Sequence, residues 1–322
     1  MHPSSLLLDP KLLARLGKTR IRVDQRVDGT LSGIHRSPHH GASVEFTEHA
    51  EYSPGDELKN IDWQVYGRTD RYYVKRFEDE TNMRAFFVLD CSGSMGYEGP
   101  RSTYSKLTYS ARLTATLAYL LLRQRDAVGV VAARDNVVHH LPARASSRHV
   151  NRTLELLDDL SPTGKTDLAR GLARVAEMGH KRGLVLVLSD MFTDLDRFFL
   201  NLAQLKAQRH RVMLLQILDP DELSLPFRRL TSFRSLESPA RLLLEPRAIR
   251  GDYMSALATF LSQVASRCGD IGVEHHTFDT SQSIEEALET IVRALSRRRA
   301  SSAGAQAPAA REQAHDDPGG PR

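Results

Sequence analysis

From residue 83 onward, short apolar runs alternate with longer stretches whose apolar positions recur every three to four residues. Runs of four to eight apolar residues fit strands buried on both faces; the longer period fits amphipathic helices. MRAFFVLD (83–90), DAVGVVAAR (126–134), GLVLVLSD (183–190), HRVMLLQIL (210–218) and IGVEHHTFDT (271–280) read as strands, and VVHHLP (137–142) as a shorter one. Between them, 105–124, 149–160, 166–178, 195–208, 252–268 and 283–298 read as helices, and ARLLLE (240–245) as a further strand. Strands alternating with helices predict an α/β fold with a doubly wound, mostly parallel sheet.

Residues 1–82 have a different texture. Leu12, Leu13 and Leu16 predict a short amphipathic helix, Ser53-Pro54-Gly55-Asp56 a turn, and Tyr72, Tyr73, Val74 and Phe77 an extended segment. Trp63 is expected to anchor this module to the sheet domain; the alternative is that Tyr52, Asp56 and Trp63 form part of a partner surface. At the other end, ASSAGAQAPAAREQAHDDPGGPR lacks apolar periodicity and reads as a disordered tail. The organisation expected is an N-terminal module (1–82), a sheet domain (83–298) and a tail (299–322).

Composition narrows the function classes. A chain of 322 residues that is 41% hydrophobic can bury a large core. Its 44 basic and 40 acidic residues are intermixed, apart from Arg297, Arg298 and Arg299. No basic patch is interleaved with aromatics, so no nucleic-acid partner is expected. Two cysteines, Cys91 and Cys268, make no disulfide framework and fit a reducing compartment. MHPSSLLLDPKLLARLG is not patterned as a signal peptide. The longest apolar run, Leu113 to Leu122 between Arg112 and Arg123, is too short to span a bilayer and reads as a buried helix. A cytoplasmic protein without a transmembrane segment is the expectation.

In open parallel sheets ligands sit at the carboxyl ends of strands. The first core strand ends in Asp90, followed by Ser92 and Ser94; GLVLVLSD ends in Ser189-Asp190; HRVMLLQIL runs into Asp219. The loop SPTGKTDL adds Thr163, Thr166 and Asp167. Hydroxyls and carboxylates without imidazole or thiolate are hard ligands, suited to Mg²⁺ or Mn²⁺.

Asp90, Ser92 and Ser94, then Thr166, then Asp190, resemble the metal-ion-dependent adhesion site of von Willebrand factor type A domains. The resemblance covers about residues 84–295. It implies that Ser92, Ser94 and Thr166 bind the metal directly, that Asp90 and Asp190 act largely through water, and that a partner's Asp or Glu completes the shell. Upstream, GASVEFTEHAEYSPGDELKNIDWQVYGRTDRYYVKRFEDETN resembles the signature block of the bacterial family called "domain of unknown function 58", through Tyr52, Pro54-Gly55-Asp56, Ile61-Asp62-Trp63 and Lys75. That resemblance implies a von Willebrand factor A-like sheet domain and, by genomic association, a MoxR-type AAA+ ATPase as partner. The function expected is a non-enzymatic, metal-dependent protein-binding adaptor in complex maturation or stress response.

Other readings of the same residues are weaker. Asp and Ser can simply cap turns and helices, but five in register at strand ends call for a common cause. Ser92-Gly93-Ser94-Met95-Gly96 fits a nucleophile elbow, with Asp219 and then His275 or His276 in hydrolase order, giving the alternative of a serine hydrolase using Ser94. The polar loop GYEGPRSTYS, however, stands where the elbow's helix should begin, and Asp90, Thr166 and Asp190 go unexplained. Phosphoryl transfer on Asp90 would want a second Asp where Ser92 stands. SPTGKT lacks the first glycine of a phosphate loop, position 159 being Asp. His35, His39, His40 and His49 have no cysteine company and form no HExxH helix, so they read as solvated loop residues. Cys91 reads as a small packed residue.

Overall fold

A computed structural model describes residues 7–16, 21, 44–52, 61–79, 83–134, 137–165, 167–178 and 182–296. Arg297 to Arg299 and the expected tail lie outside them.

The N-terminal part holds α1 (Pro10–Leu16), β1 (Val44–Glu51), α2 (Trp63–Thr69) and β2 (Tyr73–Asp79), with β1 and β2 antiparallel. Asp62 starts α2 by accepting the amides of Gln64 (3.0 Å) and Val65 (3.3 Å), which leaves fewer first-turn donors unpaired. Ile61 is buried and bridges Val74. The anchoring role expected for Trp63 fails: it is 62% exposed and meets Tyr66 edge-on, while Tyr66 stacks on Tyr72. As the first residue of a short helix, its ring is carried outward beside Tyr66, not inward onto the sheet.

The remaining elements are β3 (Arg84–Asp90), α3 (Lys106–Arg123), β4 (Ala127–Arg134), β5 (Val137–Arg144), α4 (Ser147–Asp158), α5 (Leu168–Met178), β6 (Leu184–Ser189), α6 (Leu195–Ala207), β7 (Arg211–Leu218), α7 (Pro220–Ser224), β8 (Thr231–Arg234), β9 (Arg241–Leu244), α8 (Pro246–Asp270), β10 (Glu274–Asp279) and α9 (Ile284–Ser296). Six strands form the central sheet in the order β10-β7-β6-β3-β4-β5, all parallel except β5. The mostly parallel α/β fold read from the apolar pattern is therefore the fold of the chain.

The period of two within β3 divides the core. Ala85, Phe87 and Leu89 face a cluster containing Leu113, Leu117 and Leu121 of α3 and Leu288 and Ile291 of α9. Phe86 and Val88 face the opposite cluster, with Leu168 and Leu172 of α5, Phe198 and Leu202 of α6, and Val264 of α8. Both faces being covered explains why these strands are apolar throughout.

ARLLLE is a strand, as expected, and one helix differs from expectation. Among the described residues β9 pairs with β8 alone, in a hairpin separate from the central sheet. Leu242 and Leu243 are 60% and 64% exposed, so apolar composition there does not mark burial. Helix α8 starts at Pro246, ahead of its apolar period, because proline at a first helical position needs no amide partner.

Candidate functional site

The chain reverses its direction of winding between β3 and β6. From β3 it proceeds to β4 and β5 on one side, and later to β6, β7 and β10 on the other. The loops leaving the carboxyl ends of β3 and β6 therefore diverge, opening a crevice at a topological switch point. Asp90 closes β3 and Asp190 follows β6, so topology alone puts both carboxylates at that crevice.

Each is fixed by the first residues of its loop. Asp90 is fully buried; it accepts the Ser92 amide at 2.9 Å and the Ser189 hydroxyl at 2.6 Å. Ser92 Oγ and Ser94 Oγ lie 3.0 Å apart, so the two hydroxyls face one spot. Ser92 is buried and Ser94 half-buried, and the cluster opens outward at Ser94. Gly93 to Gly96 form one 3₁₀ turn. Asp190, also buried, accepts the Phe192 amide (3.0 Å) and the Lys106 ammonium (2.8 Å). Met191 stands between them at φ 70°, a left-handed conformation uncommon for a side chain of its size, with its amide held by Ser189 Oγ at 2.8 Å. Such local strain is characteristic of positions that aim a functional group.

The loop carrying Thr163 is bound alongside. Gly93 donates to Gly164 O (2.8 Å) and Thr163 donates to Cys91 O (3.1 Å). Thr166, the third expected hydroxyl, lies outside the described residues. Asp167 takes a local role, accepting the Arg170 amide at 3.2 Å at the start of α5. Asp219 likewise is a cap: it accepts from Asp221 N, Gly99 N and Ser102 Oγ.

Sequence reasoning missed Lys106. It is fully buried and spans two carboxylates, Asp190 and Glu222, the latter at 2.6 Å. Burial alone would lower its pKa; Asp190 and Glu222 more than reverse that and hold it above the usual lysine value. Glu222 is set by a capping box in which its other oxygen accepts the Asp219 amide. The spacing Asp219-Pro220-Asp221-Glu222 is legible as such a box, and was the available signal. Among the described residues Asp90 has no comparable cation. Burial and the charge of Asp190 push its pKa up to about 6 from 3.8, against the hydrogen bonds from Ser189 and Ser92.

The donor set fits a hard divalent cation. Asp190 and Glu222 share the Lys106 ammonium, while the Ser92 and Ser94 hydroxyls meet beside Asp90. Among the described residues no group of three or more His, Cys, Asp or Glu could hold a metal, so a site here depends on hydroxyl oxygen. His35, His39 and His40 lie outside the described residues. The triad of the hydrolase reading is not assembled: Ser94 Oγ meets Ser92, His275 Nε2 meets Gln216 Oε1 at 3.0 Å, His276 stacks on Phe278, and Asp219 is a cap. Cys91 is packed and burial pushes its thiol up to about 12, a value that suits packing and not reactivity.

The β8–β9 turn closes over this rim. A Cβ on Gly93 would fall 2.2 Å from the backbone oxygen of Leu236. Gly93→Ala is expected to lift the hairpin and to destabilise the chain by about 1–3 kcal/mol, the cost of forced overpacking. Hydrogen exchange over 231–244 should quicken; unchanged exchange would mean that the turn does not sit on Gly93.

Fold and rim together define a doubly wound α/β protein with an oxygen-lined crevice at its switch point. The chain belongs to the family described as protein of unknown function DUF58, which matches residues 48–261. An uncharacterized protein of Mycobacterium tuberculosis is 27% identical over 316 residues, spanning 95% of this chain and 97% of that one; a Mycobacterium bovis protein matches equally. Solved neighbours include the conserved hypothetical protein BatB from Bacteroides thetaiotaomicron (15% identity, 66% of this chain and 98% of that one, TM-score 0.43) and the SpRpn10 VWA domain (11%, 65% and 94%, TM-score 0.37). Neither likeness bears on function. No helix among the described residues is long and apolar enough to cross a membrane.

Proposed function

We propose that the chain is a non-enzymatic, metal-dependent protein-binding adaptor. Asp90, Ser92, Ser94, Thr166 and Asp190 would hold Mg²⁺ or Mn²⁺, and an Asp or Glu of a protein partner would complete the shell. The bound cation would supply a directional, charge-assisted point of attachment. The observation that carries this reading is the pair of buried carboxylates at the switch point, with two hydroxyls 3.0 Å apart beside Asp90 and, among the described residues, the buried Lys106 ammonium paired with Asp190 and not with Asp90. Both oxygens of Asp190 are engaged by protein donors, which favours its acting on the cation through charge and water. The family resemblance supplies the partner proposed, a MoxR-type AAA+ ATPase, and the setting of complex maturation or stress response.

Purified protein is expected to retain a MoxR-type ATPase in Mg²⁺ and to lose it in EDTA or as Thr166→Ala, with melting unchanged by that substitution. Equal retention in all three would remove the metal from the interaction. A serine-reactive phosphonate should leave Ser94 unlabelled; stoichiometric labelling at Ser94 would instead favour a hydrolase.

A further inference from the structure

One carboxylate reaches the rim from outside the strand ends. Glu237 lies at the turn of the β8–β9 hairpin, and its Oε1 accepts the Ser94 amide in a long hydrogen bond of 3.4 Å. It is the sole acidic residue between Thr231 and Leu244. Its placement is built, not incidental. Ser235 Oγ accepts the amides of Glu237 (3.2 Å) and Ser238 (3.1 Å), and Ser235 donates from its backbone to Ala240 O (2.9 Å), which fixes the turn. The next backbone oxygen, that of Leu236, occupies the space left by the missing Cβ of Gly93. The hairpin thus rests on the residue between the two candidate serine ligands.

The hairpin is otherwise lightly held. Among the described residues its strands pair only with each other. Arg250 fixes its approach through Leu225 O and Phe227 O, and Phe227 meets Phe233 edge-on. Leu236, Leu242 and Leu243 are exposed. An element with so little packing opens at low free energy compared with the central sheet.

We propose that Glu237 is an internal ligand of the candidate metal site, taking in cis the outward position that a partner's carboxylate would take in trans. This rests on the metal reading above and adds a gate to it. A tethered carboxylate acts at an effective concentration of millimolar order, so a partner must displace the hairpin to bind. The cost of displacement discriminates against free carboxylates, while a docked protein presenting one in register can meet it.

The test uses the full chain, wild type and Glu237→Gln, titrated with Mn²⁺ by calorimetry, with hydrogen exchange of 231–244 followed in parallel. Glutamine keeps an acceptor for the Ser94 amide and removes only the charge, so the turn stays seated. Mn²⁺ is expected to bind the wild type roughly tenfold or more tightly than the variant, as loss of a charged ligand requires. It should also slow hairpin exchange in the wild type alone. Equal affinity with hairpin exchange unmoved by Mn²⁺ would overturn the role of Glu237 and leave the metal site standing. Absence of Mn²⁺ binding by either protein would overturn both.

Discussion

Replacing Lys106 with methionine is expected to cost about 3–5 kcal/mol, the usual penalty for removing one partner of a buried ion pair. The side chain is fully buried, and its ammonium is the shared partner of Asp190 and Glu222. Methionine fills most of the volume, so the loss is one of charge rather than of packing. Asp190 would keep only the Phe192 amide and Glu222 only the Asp219 amide. Two carboxylates left without a cation in a poorly solvated site must protonate or draw in water. For a domain of this size the melting temperature should fall by roughly 10 °C at neutral pH. The sign with pH follows: burial already raises the Glu222 pKa against the pull of Lys106, and without Lys106 it rises further. The penalty is then largest at neutral pH and shrinks as the solution becomes acidic. If the site holds Mg²⁺, the variant should gain more from the cation than the wild type does, because its negative charge is less compensated. A variant that melts within about a degree or two of the wild type at pH 7.5 would show that Lys106 does not neutralise the cluster.

This buried lysine also shows where sequence reading stops. The fold was legible because burial on both faces of β3, β4, β6 and β7 forces continuous apolar runs, while helices covering those faces keep a 3.6-residue period. Residues ending the strands were legible for the same reason: a carboxylate after an apolar run has no packing purpose. Lys106 carries no such mark. It is the first residue of α3, a position where lysine usually reaches solvent, and here Asp190, Glu222 and the Phe192 ring, all distant in sequence, close around its ammonium. Glu237 was invisible for a different reason. Hairpin β8–β9 lies outside the central sheet and exposes Leu242 and Leu243, so its apolar content marked a strand and gave no sign of a turn that reaches the rim. Long-range approach, more than local pattern, decides both residues, and a single sequence holds little of it. Ser189 was half legible. It ends β6 beside Asp190, but its donation to Asp90 Oδ2 depends on the neighbouring register of β3 and β6.

Asp90→Asn is expected to stabilise the chain when no divalent cation is present, by about 1–3 kcal/mol at neutral pH. Burial and the Asp190 charge push the Asp90 pKa up to about 6 from 3.8, so in the folded state the charged form is disfavoured. Each pKa unit corresponds to about 1.4 kcal/mol, and the amide's poorer match to the Ser189 hydroxyl takes back part of the gain. Asn can still accept the Ser92 amide through Oδ1. The pH dependence separates this effect from general packing. Between about pH 4 and 6 the native state holds a proton on Asp90 that the unfolded chain has released, so wild-type stability falls as pH rises through that window. The advantage of Asn should therefore be near zero at pH 4, grow to about pH 6 and stay level above it. Melting of the two proteins in EDTA across that range measures it directly. Adding Mg²⁺ should reverse the order: the wild type gains in proportion to the logarithm of cation over its dissociation constant, and the variant, lacking one of the two strand-end charges, gains little. A carboxylate that weakens the empty fold and strengthens the loaded one is what a binding residue looks like thermodynamically. If Asn proves destabilising in EDTA at every pH, Asp90 serves as a structural cap on the β3 loop, and the surplus of charge that favours a cation at this crevice disappears.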